Sequence, residues 1–178
     1  MKTIFKQLSV LALTLFISMG GCVQKLTTVN IDYPTEANLT TTNLPNTGNQ
    51  SFGETVLTSE LKSKLEKNNT SLDLLDELKL KSATVLIDSA KAGENFDKID
   101  NIELLLSADG LPTITIASKN PIAKGSTTVE LNVNNSDNLA NYIKATTFTY
   151  SIKGTNNAPL SPMKLKVKAN WNIKASVK

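Results

Sequence analysis

Few side chains in this chain could do chemistry, and the missing types narrow the possibilities first. Its 178 residues include no histidine, and every basic residue is a lysine. Without imidazole there is no Ser-His-Asp triad, no histidine general base and no histidine metal ligand. Without guanidinium there is no bidentate grip on phosphate or carboxylate. No glycine-rich phosphate loop occurs. The densest acidic group is Glu94, Asp97, Asp100 and Glu103, with Asn95 and Asn101 beside them. Oxygen ligands at such spacing suit Ca²⁺. The group lacks the Asp-x-Asp-x-Asp-Gly order of a calcium loop, however, and Lys98 sits inside it. A solvated turn leading into a strand is the weightier reading. The expectation is a chain that is not an enzyme, with no catalytic residue, no metal site and no cofactor. A carboxylate-based hydrolase is the least favoured alternative.

The remaining reactive side chain is the single cysteine, Cys22. It closes the run Leu13–Cys22, LTLFISMGGC. Lys2 and Lys6 give a positive start, and Leu8–Ile17 is an apolar stretch too short for a bilayer, which takes about 20 residues. Small residues then lead to Cys22. This run resembles the lipobox of bacterial lipoproteins, with Met19 where that family usually has leucine. The resemblance implies a diacylglycerol thioether on Cys22, cleavage of the signal (residues 1–21) before it, and acylation, palmitate included, of the new amino group. The competing reading is an ordinary signal peptide with an incidental cysteine.

About 150 residues follow the signal, enough for one domain with a real core. With no second cysteine, apolar burial has to hold that domain together without a disulfide. A net charge of +3, part of it in the signal, is too small to argue for nucleic acid.

The elements are mainly extended. Residues 22–55 are rich in Thr, Asn and Pro, and two readings stand: a flexible tether, or early strands. Residues 26–33 read as a first strand stopped by Pro34, and residues 37–42 as a second short one. Residues 43–52 read as a loop. The domain proper is placed at 56–178, with a helical segment over 57–77. There Leu57, Leu61 and Leu65 share a face, Thr58 or Ser59 caps the helix and Asn68-Asn69 ends it. A second short helix is expected through Leu72, Leu75 and Leu78. From Leu78 the period falls to two. Strands are expected at 78–87, 99–108, 113–118, 127–133 and 146–152, with 99–118 a hairpin about Asp109-Gly110 and one helical turn at 139–144. Residues 134–138 read as a turn and residues 154–162 as a loop.

The last segment alternates most strictly. Met163, Leu165, Val167, Ala169, Trp171, Ile173, Ala175 and Val177 are interleaved with Lys164, Lys166, Lys168, Asn170, Asn172, Lys174, Ser176 and Lys178. One face of such a strand is apolar and the other wet, which favours an antiparallel sheet. The expected fold is mainly β: a single antiparallel β-sandwich of immunoglobulin-like architecture with one or two short helices. Trp171 and Tyr150 fall on apolar faces, so core packing is favoured over sugar stacking. The lysine row could meet anionic lipid, glycan or protein; favoured over this is a guard against sheet-to-sheet aggregation.

The run SLDLLDELKLKSATVLI followed by FDKIDNIELLLSADG is similar to small outer-membrane lipoproteins of uncharacterised function from Bacteroidota. That resemblance implies a single β-sandwich and carries over no site residue. Surface-exposed lipoproteins of that phylum often carry acidic residues within a few positions of the cysteine; the start Cys22-Val23-Gln24-Lys25-Leu26 has none, so the resemblance implies the periplasmic face of the outer membrane rather than the cell surface. The resulting expectation is a lipid-anchored, non-catalytic accessory or structural subunit of an outer-membrane assembly. The alternative is a carbohydrate- or peptide-binding module. Expected partners are the membrane, through lipid on Cys22, and other envelope proteins, with no nucleic acid. The sequence specifies no small-molecule or glycan ligand.

Overall fold

A computed structural model describes residues 27–88, 93–134 and 137–177. The signal segment, Cys22, residues 23–26, Asn135, Ser136 and Lys178 lie outside them. The described chain is mainly β. Eight antiparallel strands form one curled sheet, a half-barrel, with two short helices at one end: β1 Thr27–Thr40, β2 Gly48–Thr58, α1 Leu61–Glu66, β3 Leu75–Ile87, β4 Ile99–Ala108, β5 Ile114–Lys119, β6 Thr128–Val133, α2 Ala140–Lys144, β7 Thr147–Asn156 and β8 Lys164–Val177.

The strand order is β1-β8-β3-β6-β5-β4-β7-β2. First pairs with last, second with seventh, third with sixth and fourth with fifth. The chain is thus a long double ribbon, folded back at the β4–β5 turn and then curled. Pairing of β3 with β8 and of β4 with β7 closes the curl. Among the described residues, the strand pairs that join the two halves are Ala117↔Val133 and Ser118↔Asn132. In an immunoglobulin-like sandwich the sequence neighbours A and B lie side by side. Here β1 and β2 occupy opposite ends of the sheet.

The register explains the alternation in β8. Leu165, Val167, Ala169, Trp171, Ile173 and Ala175 are all buried. Tyr33, Ala37 and Leu39 of β1 and Leu78, Val85 and Ile87 of β3 join them. The hairpin at 99–118 forms as expected, and Ile102, Leu104 and Leu106 are fully buried. A shift between Leu104 and Leu105 opposite β5 also lets both Ile116 and Ala117 turn inward.

Several expected boundaries move. Pro34 does not stop β1, which runs on to Thr40. An edge strand tolerates a missing N–H, and β1 pairs only with β8. Residues 37–40 therefore continue the same strand, and residues 48–52, read as loop, open β2. Leu57 belongs to β2, opposite Phe148, so α1 begins only at Leu61. Sheet pairing overrides the helical spacing there. Within α1, Leu61 and Leu65 are buried, Ser59 Oγ accepts from the Leu61 N–H at 3.4 Å, and Asn69 closes the helix at φ 55°. The second expected helix is one 3-10 turn, Leu72–Leu74, because Leu75 and Leu78 already pair with Ala175 and Ile173. β7 runs to Asn156 through Gly154, where loop was expected. A Cβ at Gly154 would lie 2.1 Å from the Asn101 carbonyl oxygen, so the spacing of β4 and β7 depends on its absence.

Candidate functional site

The two free edges of the curled sheet, β1 and β2, face each other. At one end they nearly meet: a Cβ on Gly53 would sit 3.3 Å from the Thr40 carbonyl oxygen. Toward the helices they part around a groove of about 210 Å³ lined by Tyr33, Pro34, Thr35, Leu57, Glu60 and Phe148. The inward-facing Leu57 is only half-buried because the groove opens beside it. The Glu60 N–H donates to the Tyr33 hydroxyl at 3.1 Å, tying β1 to the start of α1.

Beneath Thr35 lies a buried polar cluster. The Tyr150 hydroxyl is 2.8 Å from Thr35 Oγ1. The Trp171 Nε1–H donates to Thr35 Oγ1 at 3.2 Å and to the Tyr150 hydroxyl at 3.1 Å. Thr35 gives its own proton to the Ala169 carbonyl at 3.3 Å, so Tyr150 is the donor to Thr35. One assignment therefore satisfies every donor, as a dry core requires. Phe148 meets Tyr150 edge-on at 5.4 Å. Burial pushes the Tyr150 phenol far above its ordinary value; the hydrogen bonds it shares with Thr35 and Trp171 only partly oppose this. Tyr33 moves in the same direction, again chiefly through burial, with the Glu60 N–H opposing. Neither tyrosine is tuned towards proton transfer near neutrality, which would need a value close to working pH.

The expected acidic group is dispersed by the fold. Asp97 Oδ1 accepts from the Gly125 N–H at 2.6 Å, and its own N–H donates to Asn95 Oδ1 at 2.9 Å. Asp100 Oδ1 accepts from Asn157 Nδ2, and Asn101 Oδ1 from the Thr155 N–H at 3.2 Å. Glu103 lies on β4 opposite Ser118 and Lys153. These oxygens brace turns and strands, as the solvated-turn reading has it. Among the described residues no group of three or more acidic or cysteine side chains could hold a metal ion.

Two lysines of the row, Lys166 and Lys168, meet acidic partners from neighbouring segments. Lys166 pairs with Asp88 at 3.4 Å and Lys168 with Glu36 at 3.8 Å. On the same face Lys81 pairs with Asp32 at 3.4 Å, and Lys79 with Glu77 at 2.7 Å. β8 lies between β1 and β3, so its lysines do not sit on a free edge of the sheet. Trp171 and Tyr150 are fully buried, in agreement with the core reading. Sequence reasoning missed the seam itself. Its only trace was Tyr33-Pro34-Thr35, a proline inside an otherwise alternating strand.

At the far end Asn156 is buried and fully bonded. Its Nδ2 donates to the Asn46 and Ala158 carbonyls at 2.8 and 2.9 Å, and its Oδ1 accepts from Gln50 Nε2 at 3.1 Å. A hollow of about 460 Å³ is lined by Ile87, Gly93, Lys98, Leu160 and Met163.

No protein-family model matches the chain, and no curated protein matches it. Among solved structures, a chain from Desmodium yellow mottle tymovirus aligns over 100% of this chain and 97% of its own, at 12% identity and a TM-score of 0.27.

Proposed function

We propose that this chain is a lipid-anchored, non-catalytic envelope protein, an accessory or structural subunit of an outer-membrane assembly, more at its periplasmic face than at the cell surface. The observation that carries the reading is the run Leu13–Cys22, an apolar stretch ending in Gly20-Gly21 and the one cysteine of the sequence. The fold is compatible with such an anchor. The first strand begins five residues beyond Cys22, and the core closes without a disulfide. The Asp97 carboxylate braced by the Gly125 N–H, and tyrosines held neutral by burial, support a non-catalytic role.

The finer architecture belongs to the same proposal. The halves β1-β8-β3-β6 and β5-β4-β7-β2, joined by two residue pairs, act as the leaves of a sandwich with the connectivity of a jelly roll. A second reading, a peptide-binding module, is favoured by the groove between two free strand edges. A glycan site gains less: the groove is below the roughly 300–1,000 Å³ of ordinary ligand pockets, and the large rings are buried.

Cys22→Ser tests the anchor. The variant should lose lipid labelling and leave the membrane fraction, or accumulate unprocessed; unchanged attachment and labelling would refute it. Native mass of the wild-type protein in mild detergent tests the subunit role. A discrete species well above the monomer is expected, and a lone monomer at every detergent concentration would contradict it.

A further inference from the structure

The end of the domain nearest Cys22 is fixed by strand register. Thr27 starts β1 opposite Val177 at the end of β8, and Leu75 starts β3 opposite Ala175. The Thr70 hydroxyl donates to the Ser176 carbonyl at 2.6 Å, placing the α1–β3 connection there too. The Leu139 N–H donates to the Leu78 carbonyl at 2.8 Å, and Ser59 Oγ to the Ile143 carbonyl at 2.6 Å, which brings α2 and the end of β2 to the same side. Both helices, the start of β1 and the end of β8 thus share one end of the molecule. The opposite end carries the connections 41–47 and 157–163, tied by Thr41 N–H to the Met163 carbonyl and by Leu44 to Leu160.

Five Cα steps separate Cys22 from Thr27, a reach of at most about 18 Å. The 14 residues of β1 extend about 43 Å along the strand. We infer that the helix-bearing end, with α1 and the Leu72–Leu74 turn, is the face laid against the phospholipid headgroups, and that the 41–47 and 157–163 end points away from the bilayer. This rests on the anchored reading and adds the orientation. The tether is too short for the far end to meet the membrane unless the domain lies on its side. The wet face of β1-β8-β3 gives little electrostatic reason to lie down, because Lys79, Lys81, Lys166 and Lys168 each have an acidic neighbour. The helix-bearing end mixes both signs, with Lys62, Lys64 and Lys67 among Glu60, Glu66 and Asp73, so the tether rather than net charge sets the pose.

The test uses the full chain, processed in cells and reconstituted into phosphatidylethanolamine–phosphatidylglycerol vesicles that carry nitroxide headgroups. Because Cys22 is the one native cysteine, a second cysteine can be labelled alone once Cys22 is acylated. Lys67 and Thr47 are exposed and lie at the two ends. Fluorophores on Lys67→Cys should be strongly quenched by the nitroxide lipid, and those on Thr47→Cys should keep their intensity. Equal quenching, or quenching at Thr47 alone, in protein that floats with the vesicles overturns the orientation while leaving the anchor standing. Failure of the protein to float removes the anchor and the orientation together.

Discussion

Trp171→Ala probes the centre of the fold. The indole is fully buried on β8, and its Nε1–H serves both Thr35 and Tyr150. Removing it deletes that donor along with the ring, but Tyr150 still donates to Thr35 and Thr35 to Ala169. No polar group is stranded, so the loss comes from burial and the cavity, about 3–5 kcal/mol for a core aromatic. Against a net stability of about 5–15 kcal/mol, that is a large share. At about 2–4 °C per kcal/mol for a domain of this size, the midpoint should fall by roughly 6–20 °C. Lys168→Ala is the control. Its side chain is about half exposed and meets Glu36 only at 3.8 Å, so it should change stability by no more than about 0.5 kcal/mol. Thermal melts of the lipid-free domain, with each variant beside the wild type, give the answer. Equal small shifts for both would refute the assignment of faces on β8. A stable Trp171→Ala that had lost binding to a ligand would mean the indole works at a surface.

Gly154→Ala drives a Cβ into the Asn101 carbonyl, and denaturant melts should show a loss of about 1–3 kcal/mol or more; an unchanged midpoint would place β4 and β7 further apart than described. Asn156→Ala removes the amide that joins residues 46, 50 and 158 and should cost about 1–3 kcal/mol; a neutral result in the same melts would show that water replaces it. Tyr150 gives a pH prediction. Its phenol ionises from about pH 10 in the unfolded chain and only at higher pH when folded. Its contribution is therefore intact below about pH 10 and declines above it by up to about 1.4 kcal/mol per unit. Between pH 10 and 11 the wild type should lose about 1 kcal/mol more than Tyr150→Phe; parallel losses would mean that Tyr150 is not buried.

Much of the sheet was legible because period two is hard to mistake over long runs. Met163–Val177 and Ile99–Ala108 each put one apolar row on one side, and burial follows that row. The misplaced boundaries share a cause: local signals lost to pairing partners far away in sequence. Leu57, Leu61 and Leu65 are spaced for a helix, but Leu57 finds Phe148 across a strand. Pro34 signals a stop, but an edge position asks for no N–H from it. Gly154 signals a loop, whereas here it marks a close backbone approach. Connectivity was the least accessible feature, since no local pattern says that the first strand pairs with the last. The seam groove follows from that connectivity and was hidden with it. Trp171 and Tyr150 were legible as core, but their shared bond with Thr35 joins residues separated by more than 100 positions.

The central claim is the lipid on Cys22, and intact mass analysis of the mature N-terminal peptide tests it most directly. The account predicts a chain that begins at Cys22 and carries the mass of a diacylglyceryl thioether, with or without a further acyl group on the amine. A peptide with free Cys22, or a chain that begins at any other residue, would contradict it.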